Sequence, residues 1–170
     1  MCEWERLWVL PEVTGWTLYV DVRVFDDGGN IVDAIVMAIY AAISTTLLPL
    51  VNRVGIEGQK TSLQVDSDPH HGLCLTNPPL SLSVTLFKVG KHVIVDATKE
   101  EEICAQGQLT LAVDTKGQVG GFQQRGCGSL STREMQAMID VARTVSDDLL
   151  KALHAALEDP ATLSTMGFLS

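Results

Sequence analysis

Residues 81–124 decide the fold, and they read SLSVTLFKVGKHVIVDATKEEEICAQGQLTLAVDTKGQVGGFQQ. Several segments in this stretch are rich in Val, Leu, Ile, Thr or Phe and are bounded by turn-forming residues, a pattern typical of β-strands. The predicted strands form a meander: Ser81–Lys88, His92–Ala97, Gln108–Asp114 and Val119–Gln124. The predicted connections are Val89–Gly90, a longer link through Glu100–Glu102, and a hairpin turn at Asp114–Gly117.

A long helix is predicted directly after the meander. Ser131-Thr-Arg-Glu134 is a capping box, the pattern that opens many helices. The apolar residues that follow recur at the spacing of one helical face: Met135, Met138, Ala142, Val145, Leu149, Leu153 and Ala156. Asp159–Pro160 is predicted to end this amphipathic helix.

The N-terminal part predicts two strands and a helix. The strands are Glu5–Pro11 and Trp16–Phe25, the second with alternating apolar and polar residues. Asn30 is the predicted N-cap of a helix over Ile31–Leu48, with Asp33 pairing back to it. The helix is apolar nearly all round, so we expect it to be covered on more than one side.

The order of elements predicts the α+β class. Residues 52–79 are rich in turn formers and are predicted to hold one or two short strands. We therefore expect a single domain over residues 1–170: a mixed sheet with one buried helix and one long amphipathic C-terminal helix.

Composition narrows the class of function. The 170-residue chain has a formal net charge of −9, which disfavours binding to nucleic acid by this chain alone, because phosphate neutralisation needs Lys and Arg. The longest apolar region, Ile31–Leu50, is interrupted by polar residues and predicts a core helix, not a membrane span. The start of the chain lacks a signal-peptide pattern, and we expect a soluble intracellular protein.

Cysteines and histidines do not form a recognisable metal motif. Cys2, Cys74, Cys104 and Cys127 are far apart in sequence, which predicts free, mostly buried thiols in a reducing compartment and no zinc site. The adjacent pair His70–His71 lies in a turn where the two side chains point apart, so a solvated loop is favoured over a metal site.

Two loops carry glycines or acids in patterns that sometimes bind phosphate or metal. The glycine-rich run 117–129 lacks Gly-Lys-Ser/Thr and contains a predicted strand, so it is a sheet edge and turn and not a P-loop. The turn Asp26–Gly29 precedes a helix N-terminus, where N–H groups bind anions. Its two aspartates would repel a phosphate, and it contains no Lys or Arg.

A second acidic cluster follows the predicted strand at residues 92–97. Asp96 and Glu100–Glu102 could hold Mg²⁺ or act as a general acid. The alternative for both clusters is a structural turn with solvated charges.

Several of these stretches together resemble the ribonuclease PH family, and within it the non-catalytic ring subunits of the RNA exosome. The resemblance is carried by these runs: WTLYVDV (16–22), GGNIVDA (28–34), HVIVDATKEEE (92–102), QLTLAVDTKGQV (108–119), GCGS (126–129) and GFL (167–169). It covers essentially the whole chain. It implies that these residues form the C-terminal portion of a ribonuclease PH-type domain, of the ribosomal protein S5 domain 2-like fold, whose N-terminal half would precede them.

The resemblance also implies what the turn and the acidic cluster do. Phosphorolytic members carry Asp-Gly-Gly-Thr-Arg at this strand–helix turn, and the matching positions here are Asn30 and Ile31. Ile31 can neither donate a hydrogen bond nor neutralise charge. Active members also place two aspartates six residues apart, matched here by Asp96 and Glu102. We therefore expect a vestigial acidic pair, no catalytic residue, no cofactor and no metal.

The implied function is a non-catalytic structural subunit of the exosome core ring. Its partners would be the other ribonuclease PH-like ring subunits, the cap proteins, and RNA passing through the assembled channel, with no membrane. Its implied locations are nucleus, nucleolus and cytoplasm. Two alternatives stay open: an active phosphate-dependent 3′→5′ exoribonuclease using Asp96 and Glu102, and a truncated isoform without a role in the ring.

Overall fold

The computed structural model describes residues 3–10, 12–54, 62–68, 71–75 and 78–158. The chain divides into two compact units, one made of residues 1–20 and 42–78 and the other of residues 21–41 and 79–170. Whether residues 1–170 fold as one domain stays a prediction.

The first unit consists of short strands that pair antiparallel in twos. After a 3₁₀ turn at Glu3–Leu7 come β1 (Trp8–Leu10), β2 (Thr14–Gly15), β3 (Leu47–Pro49), β4 (Val51–Val54), β5 (Ser62–Val65) and β6 (Gly72–Cys74). β1 pairs with β2, β3 with β6, and β4 with β5. One or two short strands are expected in residues 52–79, and three lie there: most of β4, then β5 and β6. The strand predicted at Glu5–Pro11 is limited to β1.

The second unit contains the predicted meander. Its elements are most of α1 (Ile31–Ser44), then β7 (Leu82–Val89), β8 (His92–Val95), α2 (Lys99–Cys104), β9 (Gly107–Val113), β10 (Val119–Arg125) and α3 (Thr132–Glu158). The four strands form a sheet in the order β10-β9-β7-β8. Every strand pair among the described residues is antiparallel. The α+β class is confirmed, whereas the predicted mixture of parallel and antiparallel strands is not seen there.

One face of this sheet packs against α3 and forms the core of the second unit. The core residues are Val84, Leu86, Leu109, Leu111, Val113, Met138 and Ala142. Side chains alternate between the faces of a strand, so Ser83 and Thr85 of β7 point to the opposite face. Both are also buried, which means that β7 is covered on both of its faces.

The side chain of Asp33 joins α1 to this second face. Its carboxylate is buried, with 3% of the residue exposed. It accepts hydrogen bonds from the Ser83 hydroxyl at 2.7 Å, from the Thr85 backbone N–H at 2.6 Å and from the Thr85 hydroxyl at 2.9 Å. Buried charge is tolerated only when it is hydrogen-bonded or paired. Asp33 therefore serves a tertiary contact and not the helix cap predicted from its spacing to Asn30.

A second polar contact links α1 to α3. The Tyr40 hydroxyl lies 2.8 Å from Nε2 of His154, and burial raises the pKa of Tyr40. Other parts of α1 are exposed among the described residues, including Val32, Ala34, Ala38 and Ala42. The prediction that this helix is covered on more than one side is therefore not met by the part of the chain described.

The predicted capping box opens α3. The Ser131 backbone N–H and hydroxyl donate to Glu134 at 2.8 and 2.7 Å, and the Glu134 N–H donates back to the Ser131 hydroxyl at 3.3 Å. The hairpin between β9 and β10 is also as predicted, with Gly117 at φ +73°. The predicted helix end at residues 159–160 lies outside the described residues.

The strand predicted at Trp16–Phe25 is wrong, because these residues carry no strand pairing. The two predicted faces of this segment still differ in exposure: Tyr19 and Phe25 on one face are 89% and 96% exposed, whereas Val22 on the other is 45% exposed. A strand needs a neighbour to complete its hydrogen-bond ladder. None of the described strands pairs with residues 16–25, so they do not form part of a sheet.

Helix α1 ends at Ser44 and not at the predicted Leu48. The hydroxyls of Thr45 and Thr46 both donate to the carbonyl oxygen of Ala42, at 3.2 and 2.7 Å. These bonds satisfy a carbonyl that the helix leaves without a partner at its C-terminus. The chain is thus free to leave the helix, and residues 47–49 pair with β6 instead.

The cysteines partly follow the prediction. Cys74, Cys104 and Cys127 are free thiols, as expected. Cys104 and Cys127 are exposed, however, because one lies at the end of α2 and the other in the turn after β10. Cys2 lies outside the described residues. Among the described helices, none is both long and apolar enough to cross a membrane.

Candidate functional site

Residues 26–30, here called the turn, lead into α1. The Asp27 N–H donates to Oδ1 of Asp26 at 2.8 Å, and the Gly29 N–H donates to Oδ1 of Asp27 at 3.2 Å. Gly29 has φ +109° and Asn30 has φ +48°. Asn and Gly are the residues that adopt such left-handed backbone most readily. The predicted N-cap geometry is not present at Asn30, because an N-cap residue has extended backbone.

Residues 96–102, here called the acidic segment, follow β8. Asp96 also has positive φ, at +55°, and turns the chain into α2. The Thr98 hydroxyl accepts from the Glu101 N–H, and the Glu101 carboxylate accepts from the Thr98 N–H at 2.9 Å, which makes a complete capping box. The region predicted as a link through Glu100–Glu102 is therefore a short helix.

The turn and the acidic segment are held together by hydrogen bonds. Asn30 donates through its backbone N–H to Oε1 of Glu102 at 2.8 Å and through Nδ2 to Oδ1 of Asp96 at 3.3 Å. The Lys99 N–H donates to the carbonyl oxygen of Gly28 at 3.1 Å. The structure thus brings together all the residues that the resemblance singled out, around Asn30.

Close backbone packing accompanies these bonds. A Cβ placed on Gly29 would lie 2.4 Å from the carbonyl oxygen of Ala97 and 2.7 Å from the backbone nitrogen of Lys99. Only glycine fits at such a distance, and its positive φ adds a second requirement for glycine. The contact with the acidic segment therefore explains why residue 29 is a glycine, and no bound ligand is needed to explain it.

The electrostatics of the site disfavour an anion. Lys99 forms an ion pair with Asp27 at 2.7 Å; their hydrogen bond lowers the pKa of Asp27 and raises the pKa of Lys99. Carboxylates outnumber this cation, since Asp26, Asp96 and Glu102 also lie in the turn or the acidic segment. A phosphate brought to the start of α1 would meet net negative charge.

Ile31, at the position where the resemblance places the phosphate-binding arginine, lines an apolar cavity. The cavity has a volume of about 360 Å³ and lies between residues 22–29 and the first turns of α1. Its lining is mostly apolar and includes Val22, Val24, Phe25, Ile31, Ile35 and Ala38, with Arg23 and Asp26 as its charged members. Most of this surface can contact only apolar groups, and the single cation of the lining, Arg23, is accompanied by the carboxylate of Asp26.

One polar atom of the site has no partner. Oδ1 of Asn30 is buried and accepts no hydrogen bond among the described residues. Most buried polar atoms in proteins form hydrogen bonds. The unpaired oxygen of Asn30 therefore lowers the stability of the turn. No signal in the sequence identified it, because its burial depends on the packing of the acidic segment 66 residues further along the chain.

The other candidate sites are seen in part among the described residues. His71 contacts Asp66, with Nδ1 2.8 Å from Oδ2, whereas His70 lies outside the described residues. Within the described ranges, no group of three or more His, Cys, Asp or Glu is placed to hold a metal ion. The glycine-rich run 117–129 forms β10 and a turn in which Gly126 has φ +95°, as predicted.

The sequence is similar to known proteins of one kind. Residues 80–145 match the 3′ exoribonuclease family, domain 2. The putative exosome complex exonuclease RRP42 of Dictyostelium discoideum is 31% identical over 144 residues, which cover 85% of this chain and 44% of that protein. The exosome complex component Rrp42 of Sulfurisphaera tokodaii is 32% identical over 148 residues, which cover 87% of this chain and 52% of that protein.

Solved structures agree with these relatives. An archaeal exosome core chain superposes with a TM-score of 0.58 at 26% identity, over 76% of this chain and 47% of that chain. The Archaeoglobus fulgidus exosome with RNA bound to the active site gives a TM-score of 0.54 at 26% identity, over 75% of this chain and 45% of that one.

The chain spans about half the length of the curated relatives it matches. The matches to sequences, to structures and to the family's second domain agree with one another and with the observed sheet and its helices. Residues 80–145 therefore belong to domain 2 of the 3′ exoribonuclease family, and the chain as a whole is similar to exosome components named Rrp42.

Proposed function

We propose that this chain acts as a non-catalytic structural subunit of the RNA exosome core ring. It would support 3′→5′ RNA processing and decay by forming part of the RNA channel. The relatives named Rrp42 are exosome components, which supports the assignment to this complex. The partners in this proposal are the other ribonuclease PH-like ring subunits, the cap proteins, and RNA through the assembled channel.

The main support for the non-catalytic role comes from the contacts that the residues of the turn and Ile31 make. The acidic pair Asp96 and Glu102 is engaged by Asn30, and Ile31 stands against an apolar cavity. A phosphorolytic site must hold a phosphate, which requires cationic groups and donors aimed at it. Here the donors of Asn30 serve protein carboxylates, and Lys99 serves Asp27.

The proposal extends to location and cofactors. Work on ribosomal and messenger RNA would place the protein in nucleus, nucleolus and cytoplasm. No cofactor or metal is required by a subunit whose part is to complete the ring. The preceding N-terminal half expected from the resemblance would complete the domain.

Co-purification tests the proposed role. The 170-residue chain and a version extended to the length of its relatives are each tagged and expressed together with ring and cap subunits. We expect the extended version to recover both classes of subunit. Recovery by the short chain as well would show that this portion suffices for docking, whereas recovery by neither would refute the structural role.

The second candidate function is phosphate-dependent 3′→5′ exoribonuclease activity. The observation in its favour is that Asp96 and Glu102 both contact Asn30 and so lie near each other. The test is release of nucleoside diphosphates from an RNA tail by purified extended protein, with and without phosphate. Activity that needs phosphate, is lost in Asp96→Asn and persists in the control Glu100→Gln would replace the structural role with a catalytic one.

A further inference from the structure

One edge of the four-stranded sheet is open. β10 is the outermost strand, and none of the described strands pairs with its outer side. All residues from Gly120 to Arg125 are exposed, and Phe122 is 64% exposed. An edge strand presents a row of unpaired N–H and C=O groups, so β10 offers seven residues of backbone to another chain.

β10 lacks the residues that usually protect such an edge. Sheet edges are commonly blunted by lysine, proline, inward-pointing charges or very short strands. β10 contains no proline, and its single charged residue, Arg125, is the last of the strand. The opposite edge, β8, is only four residues long and is flanked by Lys91 and Asp96. The two edges of one sheet thus differ in how open they are to pairing.

A glycine in β10 has no explanation within the described chain. A Cβ on Gly120 or Gly121 would meet nothing within 4 Å, and neither residue has positive φ. Gly120 lies where the register with β9 shifts, but Gly121 lies in the regular ladder. Glycine weakens a strand interior and often marks a place where another backbone approaches closely.

The charge around β10 indicates what kind of chain would approach. Residues 115–133 contain Lys116, Arg125 and Arg133 and no Asp or Glu, in a chain whose net charge is −9. Among the described residues none of these cations forms an ion pair. A basic, acid-free edge favours an acidic partner. A second copy is disfavoured, because two basic edges and two negative molecules repel.

We propose that β10 accepts an extended, acid-bearing strand of a neighbouring protein, which pairs along its outer edge and continues the sheet. This inference rests on the proposed function, since a ring subunit has protein neighbours at its sides. Strand addition to an open edge gains its affinity from main-chain hydrogen bonds and its specificity from alternate side chains.

The register of β10 gives the side-chain rule for this partner. Phe122 lies opposite Leu111, which belongs to the core face of the sheet, so an apolar residue beside Phe122 would extend that apolar layer. Arg125 lies opposite Gln108 on the other face, where an acidic residue of the added strand would pair with it. Gly121 lies on the same face as Arg125 and leaves room there for a large side chain of the added strand.

Amide hydrogen exchange at single-residue resolution tests the proposal. It is measured on the version extended to the length of its relatives, both free and in the assembled ring, without RNA. We expect the β10 amides that do not bond to β9, which alternate along the strand, to slow at least tenfold on assembly, while the β8 amides stay within twofold. Unchanged β10 exchange in an assembled ring would overturn the proposal. Failure to assemble at all would instead refute the proposed function, and this inference with it.

Matched edge variants provide a second measurement. Phe122→Asp places an acid on β10, and Val93→Asp makes the same kind of change on β8, at a residue 43% exposed. We expect Phe122→Asp to weaken binding to the ring neighbours at least tenfold and Val93→Asp by less than twofold. Equal effects, or protection of β10 that appears only when single-stranded RNA is added, would overturn the strand addition; the second result would indicate a nucleic-acid surface.

Discussion

The backbone N–H of Asn30 donates a 2.8 Å hydrogen bond to the Glu102 carboxylate, 72 residues further along the chain. Glu102 is the residue that the resemblance matches to the second aspartate of an active acidic pair. In this chain it satisfies a backbone donor at the start of α1, a group that a helix itself leaves without an acceptor. The Glu102 carboxylate thus connects the acidic segment to the start of α1.

Removing the acceptor at Glu102 should destabilise the turn. Glu102→Ala leaves the Asn30 N–H without its partner, and we expect the free energy of unfolding to fall by about 1–2 kcal/mol. Glu102→Gln keeps a carbonyl oxygen in place and should cost less. Urea denaturation of the variants measures this. Glu100→Ala, in the same helix but without a side-chain hydrogen bond among the described residues, is the control; an equal loss there would contradict the assigned role.

Gly29 and Gly28 should respond very differently to alanine. Gly29→Ala forces a Cβ to within 2.4 Å of the Ala97 carbonyl oxygen at a backbone φ of +109°, so we expect a loss of about 3 kcal/mol or more. A Cβ on Gly28 meets nothing within 4 Å, and Gly28→Ala should change stability by less than about 1 kcal/mol. Thermal and urea unfolding of both variants give the comparison. Similar losses at the two positions would mean that the turn does not pack on the acidic segment as described.

Local patterns in the sequence predicted the meander and α3 well. The strands of residues 81–124 have strong alternation or continuous apolar runs with turn residues between them, and Ser131–Glu134 is a local capping box. Helix α2 could have been predicted from the same kind of signal, because Thr98 and Glu101 have capping-box spacing. The acidic residues of this segment led to the prediction of a metal or catalytic site, although the spacing of Thr98 and Glu101 also predicts the start of a helix.

Contacts between residues far apart in sequence could not be predicted from such patterns. Asp33 has the spacing of a local pair with Asn30, yet its carboxylate binds Ser83 and Thr85 some 50 residues away. The alternation of residues 16–25 likewise predicts a strand, but whether a strand forms depends on a neighbour that the pattern does not contain. The periodicity of a segment shows which of its faces is apolar. Which other element covers that face depends on the tertiary structure and is not contained in the pattern.

The buried carboxylate of Asp33 should be among the most sensitive positions of the second unit. Asp33→Asn keeps the volume but turns an N–H₂ group toward hydroxyl and N–H donors, so we expect a loss of about 3 kcal/mol. Thr85→Val removes one hydroxyl donor and should cost about 1 kcal/mol. The exposed Asp148→Asn, which should stay within about 0.5 kcal/mol, is the control for losing an aspartate charge. An unfolding free energy for Asp33→Asn close to that of Asp148→Asn would show that the three bonds to Asp33 contribute little.

The link between Lys88 and Glu134 should make stability depend on acid pH. Hydrogen bonds from Lys88, at 2.6 Å, and from Ser131 lower the pKa of Glu134 from 4.5 to about 2. A carboxyl group whose pKa is lower in the folded state contributes stability that is complete above the unfolded pKa and is lost as the pH falls through the folded one. The contribution of Glu134 should therefore be intact above pH 4.5 and disappear between there and about pH 2.

Glu134→Gln should remove that part of the pH dependence. In urea denaturation from pH 6 down to about pH 2, wild type should lose stability more steeply than the variant, and the two curves should converge at the acid end. Lys88→Met should flatten the curve in the same way, because it removes the main cause of the lowered pKa. Glu100→Gln should run parallel to wild type. Parallel curves for Glu134→Gln as well would mean that the strand end and the helix start are not coupled through this ion pair.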